Sequence, residues 1–248
     1  MMLGRELGVT AEEMKILCQG ALLHDIGKSR IDRKVLVKEK GLTKSELDFV
    51  KLHPKYGVEI LAPAETFPKV ALMIVYQHHE MSDGSGYPKG IAGPQIHLLS
   101  KLITIANVYD LHCNKRPAAE CLTPYEALAH MFSKQKAALD EQLLVTFIRC
   151  LGIYPPGTIV QLNNGSIGMV ISVNPADQLH PSVVLYDSEI PKKDALIIDM
   201  GDEPGLKISK SLRPTALPPE IFDYLSPRSR VTYFVDTKAE PGAKRPSS

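Results

Sequence analysis

With 248 residues the chain is long enough to bury a full hydrophobic core, and one main domain with an appendage is the natural expectation. Twenty-nine basic residues against 28 acidic ones leave a formal charge of +1, so nothing suggests a general surface for nucleic acid polymers or membranes. Four cysteines show no zinc-type pairing, no apolar run reaches membrane-spanning length and no signal peptide opens the chain, so a reducing, cytoplasmic setting is expected.

Thr10 followed by Glu13 is a capping box, and Met14, Leu17, Ala21 and His24 then recur at helical spacing, which predicts a helix with His24 on its inward stripe. Asp25 lies about 100° further round, so the two side chains flank one point, where a carboxylate can bridge two ions. A lone histidine on an apolar face is ordinarily a core residue. The adjacent acid changes that reading, because a buried carboxylate needs a cation or several donors. Gly27 is placed to end the helix. Lys28 is placed either to meet a phosphate oxygen or a hydroxide as a point charge, or simply to complement a helix C-terminus.

Thr43 and Glu46 form a second capping box, with Leu47 and Val50 as the apolar side. His53-Pro54 then sets a junction, since the residue before proline avoids the α region while proline suits the first turn of the next helix, Pro54 to about Leu61. The apolar run from Val70 to Tyr76 predicts a short buried helix that delivers Gln77, His78, His79 and Glu80 into the interior. Glu80 and Asp83 are expected to orient the imidazoles by accepting their other N–H. In the turn Asp83-Gly84-Ser85-Gly86-Tyr87-Pro88, the glycines can take positive φ and let backbone approach a ligand, and Tyr87 adds an aromatic face. His24, Asp25, His53, His78 and His79 thus fall within residues 24–79, and imidazole with carboxylate suits divalent iron, manganese or zinc. The pattern predicts a metal-centred site.

Beyond it, Leu98 to Tyr109 reads as a helix with Leu102, Ile105, Ala106 and Tyr109 inward, and Thr123-Pro124-Tyr125-Glu126 opens another with cap, proline and acid in place. Leu143, Leu144, Phe147 and Ile148 make the apolar stripe of the last helix. His97, His112, His130 and His180 are given no role. After Pro155-Pro156-Gly157 the pattern turns β-branched: Thr158–Leu162 and Ile167–Val173 flank Asn163-Asn164-Gly165-Ser166, a hairpin signal. Further strands are expected at Ser182–Tyr186, Ala195–Ile198 and Leu206–Ile208, then a short helix at Pro219–Tyr224. The expected division is a helical metal-binding domain over residues 1–154, a small β-rich extension over 155–236, and a disordered tail over 237–248. The extension can take the form of a half-open barrel and can serve dimer or partner contact.

His24-Asp25-Ile26-Gly27-Lys28, His53-Pro54 with Gly57, His78-His79-Glu80 and Asp83–Pro88, in this order and spacing, resemble the HD-GYP family of bacterial cyclic di-GMP phosphodiesterases. The likeness extends through Arg116-Pro117 to Leu151–Thr158, covering roughly residues 10–170. The fold class that the resemblance implies is mainly α, an HD-type helical bundle, here with the small β-rich C-terminal extension. It implies two or more divalent ions, iron or manganese, held by His24, Asp25, His53, His78 and His79. It also implies hydrolysis of cyclic di-GMP to pGpG or GMP in second-messenger signalling. Asp25 and Lys28 would be catalytic, Lys28 contacting the attacking hydroxide or the phosphate. Arg116, Gly86, Tyr87 and Pro88 would contact substrate, and the partners implied are diguanylate cyclase (GGDEF) domains at the Tyr87 loop and a second copy of the chain. Members of the family normally close the ligand set with an aspartate where this chain has Asn107, whose amide can coordinate but carries no charge. Retention of Asn107 as a weak ligand is preferred to recruitment of Asp110. The family also carries a histidine on a helix upstream of His24, so truncation at the N-terminus is expected. A catalytically weak cyclic di-GMP receptor and an HD-type nucleotide hydrolase of other substrate remain as alternatives, the Asp83–Pro88 loop speaking against the last.

Overall fold

The computed structural model describes residues 1–38, 41–114, 121–174 and 176–226. Helices come first: α1 Met2–Glu6, α2 Ala11–Leu23, a 3-10 turn Ile26–Arg30, α3 Arg33–Leu36, α4 Lys44–Val50, α5 His53–Leu61, α6 Lys69–Gln77, α7 Leu98–Asn114, α8 Pro124–Lys134 and α9 Glu141–Leu151. All three capping boxes form, with Thr10, Thr43 and Thr123 each accepting from the backbone of the glutamate three residues on. α7 is the axis of the bundle. Its Leu99, Leu102, Ile105 and Tyr109 are buried with Ile74 of α6, Leu17 of α2, Leu128 and Met131 of α8, and Leu144 and Phe147 of α9. α2 and α6 cross closely because Gly20 has no side chain: a Cβ there would stand 2.7 Å from Ile74.

Three sequence expectations are corrected here. α7 continues past Tyr109 to Asn114, for nothing in Asp110–Asn114 breaks a helix and the Asn114 amide donates to Asp110 one turn back at 2.8 Å. Ala106 is exposed, one step off the stripe that packs. Gly27 does not end α2, which stops at Leu23 with His24 as a right-handed cap. Gly27 instead lies in the 3-10 turn against α5, where a Cβ would fall 1.9 Å from the His53 carbonyl oxygen.

The strands β1 Ile159–Leu162, β2 Ile167–Ser172, β3 Ser182–Leu185, β4 Ile197–Asp199 and β5 Ile208–Leu212 form one antiparallel sheet in the order β4-β3-β2-β1-β5. Period-two alternation sends Val160, Leu162, Val170 and Val183 to one face with Met200, and Ile159 to the other, which helix α10 (Pro219–Leu225) covers with Ile221 and Leu225. The β1–β2 turn closes as expected, with Gly165 at φ 90°. The last strand was expected at Leu206–Ile208 and lies at Ile208–Leu212. A bulge opposite Gln161/Leu162 breaks its alternation, and Lys210 hides it among charges. Thr123 joins the two parts of the molecule: its hydroxyl caps α8 and meets Ser211 Oγ of β5 at 2.7 Å. Thr123→Ala is therefore expected to cost about 1–2 kcal/mol, the upper range for a lost cap, measured by urea unfolding. Among the described residues no helix is long and apolar enough to cross a membrane. The tail expected at 237–248 lies outside the described residues.

Candidate metal centre

Three helix ends aim imidazoles at one point. His24 caps α2, His53 opens α5 and His78 caps α6. Each ring places Nδ1 on the main-chain carbonyl three residues back: His24 on Ala21 at 2.7 Å, His53 on Val50 at 2.8 Å, His78 on Val75 at 2.8 Å. A carbonyl can only accept, so each Nδ1 is the protonated nitrogen and each Nε2 presents a lone pair inward. Sequence reasoning missed these orienting carbonyls, and no residue type marks them. It assigned the task to Glu80 and Asp83, which do other work.

The inward atoms crowd together. His53 Nε2 and His78 Nε2 are 3.1 Å apart, and Asp25 Oδ1 lies 3.2 Å from the first and 3.7 Å from the second. With His79 added, one donor atom from each of the four residues lies within 4.8 Å of all the others. His53 and His78 are at most 1% exposed and His79 is 9% exposed. Asp25 Oδ1 and His79 Nε2 are buried without a hydrogen-bond partner. Lone pairs and a carboxylate converging without protons between them repel one another, and orphaned buried polar atoms are costly. A divalent cation reverses both terms, so the donor set fits one. Adjacent donors on an ion with bonds of about 2.1 Å are separated by roughly 3.0–3.4 Å, a range that holds the 3.1 Å between His53 and His78 and the 3.2 Å between His53 and Asp25, while Asp25 to His78 is wider at 3.7 Å.

Burial by itself would raise the Asp25 carboxyl; an Nε2–H of His53 or His78 donating to it, wherever a ring carries that proton, and the charges of Lys28 and His24 outweigh burial and hold Asp25 well below the usual carboxylate range. Burial lowers His79 to about 2, with the charges of His78 and His53 adding to it, and burial is likewise the main cause that lowers His78 from 6.5. The sign follows directly. Below pH 6.5 the unfolded chain takes up protons on these rings while the folded chain resists, so the stability they contribute is complete above 6.5 and is lost as pH falls toward about 2. Chelator-treated protein is expected to melt at a lower temperature at about pH 5.5 than at about pH 7.5, and calorimetry at the two values checks it.

The loop after α6 closes over this cluster. Glu80, 1% exposed, accepts the main-chain N–H of Lys89 at 2.7 Å and of Ile91 at 3.0 Å, so it clamps the loop and orients no imidazole. Asp83 turns back on Ser85. Gly84 has φ 80°, whereas Gly86 is bare for packing: a Cβ there would stand 2.4–2.6 Å from Met81 N, His79 O and Glu80 Cα. Tyr87, joined to Pro88 by a cis peptide, stacks on His79 with centroids 4.5 Å apart. Glu80→Ala removes the buried acceptor and leaves two part-buried N–H donors of the loop without it; it is expected to cost about 1–3 kcal/mol, with loop amides exchanging faster by hydrogen–deuterium exchange.

The remaining candidates fall at the margin. His24 Nε2 is 3.5 Å from Asp25 Oδ2, the oxygen that Lys28 Nζ holds at 2.5 Å. Asn107 Nδ2 is 3.5 Å from His79 Nδ1, while Asp110 is exposed and bonded to Asn114. Arg116 lies outside the described residues. Lys51, unnoticed in the sequence, places its ammonium 5.7 Å from the Tyr87 ring centroid.

A helical bundle that gathers imidazoles and one aspartate at its helix ends is the architecture of an HD-type metal centre. The HD domain family model matches residues 1–143, and that of a KOW domain associated with the HD domain matches residues 159–218. The chain belongs to the HD domain family, and its His78-His79-Glu80 and Asp83–Pro88 segments set it in the HD-GYP type. It is similar to a cyclic di-GMP phosphodiesterase of Pseudomonas aeruginosa, 32% identical over 185 residues that cover 73% of this chain and 44% of that one. A cyclic di-GMP phosphodiesterase response regulator of Xanthomonas campestris is 35% identical over 149 residues, 60% of this chain and 39% of that one. The chain thus spans less than half the length of these relatives. In fold it resembles a HDG"Y"P protein from Bdellovibrio bacteriovorus, with a TM-score of 0.50 and 24% identity over 58% of this chain and 46% of that one.

Proposed function

We propose that the chain is a metal-dependent phosphodiesterase that hydrolyses cyclic di-GMP to pGpG or GMP in bacterial second-messenger signalling. The observation that carries this is the convergence of Asp25, His53, His78 and His79 within 4.8 Å. Imidazole and carboxylate donors suit iron or manganese. When bound, such an ion supplies Lewis acidity, polarising a phosphoryl oxygen and making water acidic enough to attack at neutral pH. The chain's own residues do the rest. Main-chain carbonyls fix the imidazoles, and Asp25 supplies the one negative charge of the cluster. Tyr87, stacked on His79, walls one side of the site and offers a ring face toward a guanine. Lys28 and Arg116 bring cations for the phosphodiester.

The test is to load the protein with iron or manganese without oxygen and follow cyclic di-GMP by chromatography, alongside a mixed guanine–adenine cyclic dinucleotide. Product from cyclic di-GMP that a chelator abolishes is expected. Tight binding without product from fully loaded protein would replace the enzyme with a receptor. Faster turnover of the mixed dinucleotide would correct the substrate.

A further inference from the structure

We propose that the chain holds a single divalent cation, on Asp25, His53, His78 and His79, and that the Lys28 ammonium stands on the outer oxygen of Asp25 where a second ion would have to bind. This rests on the reading of the cluster as a cation site. The two oxygens of Asp25 face unlike surroundings. Oδ1 looks into the buried cluster, with imidazole nitrogens at 3.2 and 3.7 Å. Oδ2 looks outward to His24 at 3.5 Å and is gripped by Lys28 at 2.5 Å.

A second ion bridged by Asp25 would need Oδ2, yet around Oδ2 there is one imidazole and a competing positive charge. Among the described residues no second group of three histidine, cysteine or acidic side chains comes together. Asn107, beside His79, adds an amide and no charge. Two divalent ions would place four positive charges against one carboxylate, with Lys28 adding a fifth. One ion with Lys28 leaves far less to offset. Lys28 is then a positioning residue: by holding Oδ2 it keeps Oδ1 turned toward His53 and His78.

The experiment is metal counting on the whole chain, loaded with manganese, freed of loose ions and measured by mass spectrometry and electron paramagnetic resonance. About one ion per chain with the spectrum of isolated Mn(II) is expected; two ions per chain with an exchange-coupled spectrum would overturn the proposal and leave the phosphodiesterase reading intact. No bound ion at all would sink both. His24→Ala is expected to keep its ion while His53→Ala loses it, circular dichroism confirming that both fold; equal loss in the two would place His24 in the occupied position and overturn the proposal. Lys28→Glu, which exchanges the ammonium for a further donor beside Oδ2 and His24, is expected to raise uptake toward two. Uptake that stays at one in this variant would show that missing donors are not the limit, which also overturns it.

Discussion

His78→Ala is expected to lower metal affinity by more than about a hundredfold and, under the proposed function, to remove phosphodiesterase turnover with it. Losing a group that merely orients a ligand costs about 10–100-fold, and His78 supplies a donor atom itself. The ring is fully buried, its Nδ1 is tied to Val75, and its Nε2 is within 3.7 Å of both His53 Nε2 and Asp25 Oδ1. Metal titration monitored calorimetrically, with far-ultraviolet circular dichroism as the control on folding, decides the matter. A folded variant that retains wild-type affinity would show that the ion is held elsewhere.

Gly27→Ala is expected to be the most damaging glycine-to-alanine substitution among the described residues. The added methyl would lie 1.9 Å from the His53 carbonyl oxygen and 2.5 Å from Gly57 N, both main-chain atoms that cannot rotate aside. The 3-10 turn and α5 must then separate, at or above the roughly 1–3 kcal/mol typical of overpacking. For a chain of this size each kcal/mol lowers the melting temperature by about 2–4 °C. Because Asp25 and His53 ride on these two elements, metal affinity is expected to fall together with stability. Gly57 is bare for a related reason: a Cβ there would meet Val75 Cγ1 at 2.7 Å. A melt of the metal-free variant that overlays the wild type would show that the contact relaxes easily, and the account of Gly27 would be wrong.

The helical part was readable because its signals are local. Capping boxes at Thr10, Thr43 and Thr123 announce helix starts, and proline after His53 announces a junction, each within four residues of sequence. The ligand residue types stood out against a chain with eight histidines. What the sequence hid depends on partners far along the chain or on no side chain at all. The role of Gly27 is set by α5, so it could be mistaken for a helix stop. Glu80 bonds to Lys89 and Ile91 through their main chain, so nothing in its neighbourhood separated a loop clamp from an imidazole support. β5 was displaced because its register depends on a bulge opposite β1. Ala106 fitted a four-residue spacing from Leu102 yet faces outward, since periodicity gives the width of a stripe only approximately.

The three imidazoles anchored to Ala21, Val50 and Val75 carry an implication for the living cell. Their tethers belong to the helices, not to an ion, so the orientation of the three rings is set by the fold itself. Such a ready-made nitrogen-rich cage accepts any first-row dication small enough to enter, and copper and zinc bind nitrogen donors more tightly than manganese or iron. Selection of the metal is thereby handed to the supply around the protein, and under the proposed function an excess of zinc is expected to lower turnover by substitution.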